Sequence, residues 1–192
     1  YGTGGDAPLG PDAVRGVRIS GGGVLEGFLI RNGSTLGNFP NPIKDGQGGG
    51  VFISGEGTVK DCLVFDCRSF REGGGIANDG TPGALVDNVV IGTNQTVFSL
   101  FGGSRGAGFY LNNATVENCN VFANEHAATG TLGGGGFLGG TSTLRDTIFS
   151  TNRAADGGGI YLSGNLGMSG CNFLENTVTR NGGGAYLKGS GS

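Results

Sequence analysis

Residues 157–176 read GGGIYLSGNLGMSGCNFLEN, and residues 182–187 begin the same phrase again as GGGAYL. Outward from this stretch the glycine run recurs as GGGVFI at 48–53, GGGI at 73–76 and GGGGF at 133–137, with a looser copy, GAGFYL, at 106–111. Between successive runs lies a second module: TVKDCLVFDC, ALVDNVVIGTN, TVENCNVFAN, TLRDTIFSTN and GMSGCNFLEN. An earlier copy, GVRISGGGVLEGFLIRNG at 16–33, aligns with both modules. Aligned by spacing, the second module gives three apolar columns. They are Leu25, Val59, Val86, Val116, Leu144 and Met168; Phe28, Cys62, Val89, Cys119, Thr147 and Cys171; and Ile30, Val64, Ile91, Val121, Phe149 and Phe173. The glycine module adds Val17, Val51, Ile76, Phe109, Phe137, Ile160 and Ala185.

Each repeat spans 24 to 34 residues and carries short β-branched or aromatic segments with period-two stretches, without a 3.6-residue pattern of helical length. A unit this small cannot bury its own apolar face. Neighbours must stack, so that like residues fall above like residues at the ~4.8 Å spacing of paired strands. Asn94, Asn124, Asn152 and Asn176 end four repeats at one register, where Cys67 and Gly33 stand in two others. Asparagine tolerates the left-handed backbone of a sharp corner and its amide can hydrogen-bond from rung to rung, so this column reads as a corner ladder.

The GGGI motif and the FxxN motif, present as Phe149 to Asn152 and Phe173 to Asn176, resemble right-handed parallel β-helix repeats. They are similar to bacterial surface proteins of the polymorphic outer-membrane type. The resemblance covers residues 16 to 187 and implies an all-β, right-handed parallel β-helix of about six rungs plus a partial C-terminal rung. Residues 1–15 are expected to form an N-terminal arm or cap, and 16–192 the repeats. The family likeness also implies a secreted or surface-attached protein concerned with adhesion or envelope structure.

Composition is consistent with a thin core. The 192 residues include 45 glycines and only 36% apolar residues, too few for a thick globular centre. With 12 basic residues, no basic run and a net charge of −3, neither nucleic acid nor an anionic membrane is an expected partner. No window approaches the ~18 apolar residues of a membrane-spanning helix, so no membrane insertion is expected. The N-terminus lacks the regions of a signal peptide, and an exported form would have had its signal removed.

The motifs that carry chemistry mostly take structural readings. Glycine runs at one register suit a tight corner better than a phosphate cradle, and GxxxxGK(S/T) does not occur. Cys62, Cys119 and Cys171 alternate with Val89 and Thr147 in one column. That puts successive thiols two rungs apart, about 9 to 10 Å and beyond disulfide reach, so they read as buried thiols. Cys62 and Cys67 could meet around a corner. Asp87 and Glu117 are the one adjacent acidic pair offered for a metal, but Lys60 and Arg145 flank them and favour a solvated charge ladder. No cofactor is expected. Three glycosylation sequons occur, at Asn32, Asn94 and Asn113.

Insertions between a corner residue and the next glycine run fall at 34–47, 95–101 and 125–132 and should leave from one edge. Phe39, Phe98, Phe101 and His126 are therefore the candidate binding residues along that edge, with His126 expected in solvent. Leu63, Val90 and Ile148 should point outward as an interrupted apolar strip. The terminal strands, with Val17 and Ile19 at one end and Ala185, Tyr186 and Leu187 at the other, are the expected assembly residues for end-to-end self-association. The reading is an extracellular structural or adhesive scaffold with a polysaccharide or cell-surface ligand, or a filament subunit stacking head to tail. The alternative is a carbohydrate-active lyase, hydrolase or epimerase.

Overall fold

A computed structural model describes residues 13–35, 46–97, 104–126 and 130–189. Every strand pairing in it is parallel, and each module lies over its counterpart in the neighbouring repeat. The expected parallel β-helix is the fold. Its strands form an eleven-stranded sheet, a six-stranded sheet and a five-stranded sheet, which wrap one narrow core. The first sheet carries the glycine-module strands beside those that open the second module. The second sheet follows them, and the third ends each turn. In the two rungs led by Gly136–Arg145 and Ile160–Ser169 the corner within the first sheet is straightened, and ten residues pair with ten.

Register is set by the first glycine of each run. Gly48, Gly73, Gly106, Gly133, Gly157 and Gly182 all have φ between 59° and 75°, which a side chain adopts only under strain. A Cβ at Gly106 would also lie 1.8 Å from the Phe109 carbonyl oxygen. Counting three residues on from each of these six glycines gives the inward file Val51, Ile76, Phe109, Gly136, Ile160 and Ala185, to which Val17 is added by its pairing with Val51. This corrects the expected column at Phe137. The run at 133–136 has a fourth glycine, and Gly136 takes the inward place because the Phe109 ring fills it: a Cβ there would lie 2.3 Å from the ring. Phe137 alternates outward instead.

The asparagine ladder forms as expected. Asn94 Nδ2 donates to Asn124 Oδ1, Asn124 Nδ2 to Asn152 Oδ1 and Asn152 Nδ2 to Asn176 Oδ1, each at 3.0 Å. The left-handed corner, however, belongs to the residue before each ladder position: Asp66, Thr93, Ala123, Thr151 and Glu175 have φ between 51° and 55°. That turn swings the following amide inward, where it satisfies buried backbone groups such as the Val64 and Ile91 carbonyls. The third glycine of the run packs against it. A Cβ at Gly75, Gly108 or Gly135 would come within 3.0 to 3.1 Å of the Asn94, Asn124 or Asn152 amide.

All four cysteines are free, including Cys62 and Cys67. The Cys62 and Cys119 thiols each donate to the carbonyl two residues back, at 3.0 Å, and the Thr147 hydroxyl repeats the contact at 2.7 Å. The column therefore closes a corner as well as filling the core. Phe28, in the same column, is exposed at the first rung and is not a core residue.

Candidate functional site

The chain's chemistry lies on its outer faces, because the interior is filled by packed side chains and the amide ladder. Four surface features follow from the register.

The first is the outward file of the glycine-module strands, Arg18, Phe52, Ala77, Tyr110, Phe137, Tyr161 and Tyr186, which is covered over much of its length: Phe52 and Ala77 are wholly buried and Phe137 and Tyr161 nearly so. From Tyr110 onward the rings stack, with centroids 5.2, 5.5 and 4.9 Å apart and planes within 26°. Arg15 and Arg18 lie over the Phe52 ring at 5.0 and 5.6 Å, and Arg105 over Phe137 at 5.2 Å. Beside this file run Gln47, Glu72, Arg105, Leu132 and Asp156. Arg180 pairs with Asp156 at 2.7 Å. Burial, then the neighbouring Tyr186 and Asp156, raise the Tyr161 pKa above its ordinary value. Counting from the first glycine of each run rather than the last would have found this file in the sequence.

The second is the insertion edge. Gln47 and Leu132, which end the first and third expected insertions, stack in one file with Arg105, which follows the second, so the chain returns from all three to a single edge. Phe39, Phe98 and Phe101 lie outside the described residues. His126 is not solvated. It shares an inward file with Ser69 and Thr96, is 6% exposed, and hydrogen-bonds through Nδ1 to Thr96 Oγ1, while the ring also bonds the Leu132 backbone. Alternation explains the place: after ladder residue Asn124, Glu125 points out and His126 points in. Burial pushes its pKa down to about 3, so the ring is neutral and enclosed.

The third is the charged file Glu26, Lys60, Asp87, Glu117 and Arg145. Asp87 and Glu117 are adjacent, as expected, but Asp87 accepts a hydrogen bond from Asn118 Nδ2 at 2.8 Å, and Lys60 turns to Glu26 and Asp61 at 3.6 Å. Those two carboxylates, Glu26 first, hold the Lys60 pKa above its ordinary value. Among the described residues no three His, Cys, Asp or Glu side chains are grouped to hold a metal.

The fourth is the outer face of the six-stranded sheet. Leu63 and Ile148 are exposed there and Val90 is half-buried, in one file with Leu29, Asn120 and Asn172. At the two ends of the coil, Val17–Ser20 pairs only with Val51–Ser54, and Ala185–Lys188 only with Ile160–Ser169, among the described residues. Ile19 is buried, Val17, Ala185 and Tyr186 are half-buried, and Leu187 is exposed. Of the sequons, Asn94 is wholly buried in the ladder. The Asn113 amide is engaged by Gly80 and Thr141 at 2.9 Å each.

No curated protein and no solved structure matches the chain. A family model for the right-handed beta helix region does match it, over residues 13–192, and the parallel coil described above belongs to that family.

Proposed function

We propose that this chain is an extracellular structural and adhesive scaffold whose copies stack end to end. The observation that carries the reading is a pair of strands at opposite ends of one parallel sheet, Val17–Ser20 and Ala185–Lys188, each paired on one side only among the described residues. Because every strand runs the same way, the two edges are complementary by translation, and such a contact repeats without closing. Exposed apolar side chains also gather at the ends: Val14, Val24, Phe28 and Leu29 at one, Met168, Leu174 and Leu187 at the other. Likeness of the GGGI and FxxN repeats to bacterial surface proteins supports a place outside the cell and a polysaccharide or cell-surface ligand. Negative-stain electron microscopy of the purified chain should show rods longer than one coil, and Leu187→Asp should shorten them to single units. Single units at all concentrations would overturn the stacking.

A second reading, a carbohydrate-active enzyme, is favoured by one feature, the adjacent Asp87 and Glu117 carboxylates on an outer face. Cleavage of acidic or neutral polysaccharides that is lost in Asp87→Asn and Glu117→Gln would establish it in place of the scaffold.

A further inference from the structure

We propose that the five-stranded sheet carries an acid-opened seam, in which protonation of His126 unpairs the short strands around it while the rest of the coil stays folded. The seam is a change of side-chain chemistry along one inward file. From the first rung to the last that file reads Thr35, Ser69, Thr96, His126, Ala154 and Val178. The first four are polar, and each is at most 6% exposed. Unlike the asparagine ladder, this file does not satisfy itself. Thr35 Oγ1 accepts from the Phe70 N–H at 2.9 Å and Thr96 Oγ1 bonds His126 Nδ1, but Ser69 Oγ is enclosed and has no hydrogen-bond partner among the described residues.

A buried hydroxyl without a partner weakens the structure where it lies. Strand length changes along the same file. Arg68–Ser69, Gln95–Thr96 and Glu125–His126 have two residues each, whereas Arg153–Asp156 and Thr177–Asn181, at the apolar end, have four and five. Few backbone pairs over an unsatisfied interior make a segment that opens before the whole does.

The surroundings of His126 offer an imidazolium no counter-charge. Arg68, Glu125 and Arg153 alternate onto the outward file, where Arg153 pairs with Glu125 at 3.2 Å. The Asp156 carboxylate is taken by Arg180 and Asn181, and Arg105 pairs with Glu72 at 3.8 Å. The sequence that follows the two strands holding Thr96 and His126, residues 98–103 and 127–129, contains no charged residue. The proton therefore binds the ring in the open seam and not in the closed one, in keeping with a folded pKa pushed down to about 3. Below the ordinary pKa of 6.5, each pH unit then multiplies the open population by about ten.

The inference is independent of end-to-end stacking and is tested on the whole chain. Amide hydrogen exchange followed by NMR, corrected for intrinsic rates, reads the opening directly. Protection of the Gln95 and Glu125 amides, which donate to the Cys67 and Asn94 carbonyls, should fall roughly tenfold between pH 7.5 and 5.5. Protection of the Val90 and Asn120 amides, which donate to the Cys62 and Val89 carbonyls in the six-stranded sheet, should hold. His126→Val, which extends the apolar end of the file, should keep both sets constant over the same range. The comparison of the two sheets in the wild type stands without any variant. A fall shared equally by both sheets, no fall in either, or a fall that persists in His126→Val would overturn the seam.

Discussion

Asn124 donates its side-chain amide to Asn152 Oδ1 at 3.0 Å, and both residues are wholly buried. The same Asn124 oxygen accepts from the Asn94 backbone N–H and side chain at 3.0 Å, while its nitrogen also reaches the Ile91 carbonyl at 2.9 Å. One side chain thus satisfies groups on rungs above and below it.

Asn124→Ala should therefore cost about 2–4 kcal/mol, since it leaves buried donors and acceptors without partners. Asn124→Asp should be worse near neutral pH, because it buries an unpaired charge and faces an acceptor toward Asn152 Oδ1. The folded-state carboxyl pKa would be raised, so its penalty relative to the wild type should shrink as pH falls. Urea melts of the three proteins at two pH values measure this. An Asp penalty that does not vary with pH would place that side chain in solvent.

Gly136→Ala should destabilise by about 1–3 kcal/mol, because its methyl group enters the space held by the Phe109 ring. Phe109→Leu alone should also destabilise, through lost burial. Combined, the two should cost less than the sum of the singles, the signature of two side chains competing for one volume. Additive losses would mean that Phe137, not Gly136, holds the inward place.

Much of the coil was legible because spacing within the second module is constant: the columns through Val64, Cys62 and Asn94 follow from counting alone. What misled the count was a glycine. Four in a row at 133–136 allow the strand register to begin from either end of the run, and the choice depends on which glycine is left-handed, a backbone property that identical residues do not display. Ala123, Thr151 and Glu175 likewise carry no mark of their left-handed φ, whereas Asp61, Asn88, Asn118 and Asp146, left-handed before the cysteine column, are residue types that favour it. Of the four residues expected along the insertion edge only His126 falls among the described residues, and there strand alternation turns it inward, which its place in an insertion did not display.

The thiols should react in an order set by burial. Cys62, Cys67 and Cys119 are enclosed, and desolvation pushes Cys67 and Cys119 up to about 12, so almost no thiolate exists near neutrality. Cys171 is half-buried, and burial raises its pKa to a lesser degree. Alkylation of the native protein followed by mass spectrometry should label Cys171 first, with the other three following only on unfolding. Early labelling of Cys119 would show that the central rungs open independently.

His126 should make the coil sensitive to mild acid. Its folded pKa of about 3 lies below the ordinary 6.5, because the ring is desolvated, while its hydrogen bond to the Leu132 backbone opposes the shift only in part. The folded state is therefore the weaker proton binder. Stability from the neutral ring is fully present above pH 6.5 and falls as pH drops toward 3, by up to ~5 kcal/mol if no other contact compensates. Between pH 6.5 and 5 ordinary carboxylates remain largely ionised, so this window isolates the histidine. Across it, the wild type should lose up to ~2 kcal/mol in urea melts, whereas His126→Gln, which cannot take up the proton, should stay flat even if it is less stable throughout. Hydrogen exchange should locate the same loss at the short strands Gln95–Thr96 and Glu125–His126, whose backbone bonds hold the ring beside Thr96. Equal slopes for the wild type and His126→Gln would mean that the ring meets solvent before the coil opens.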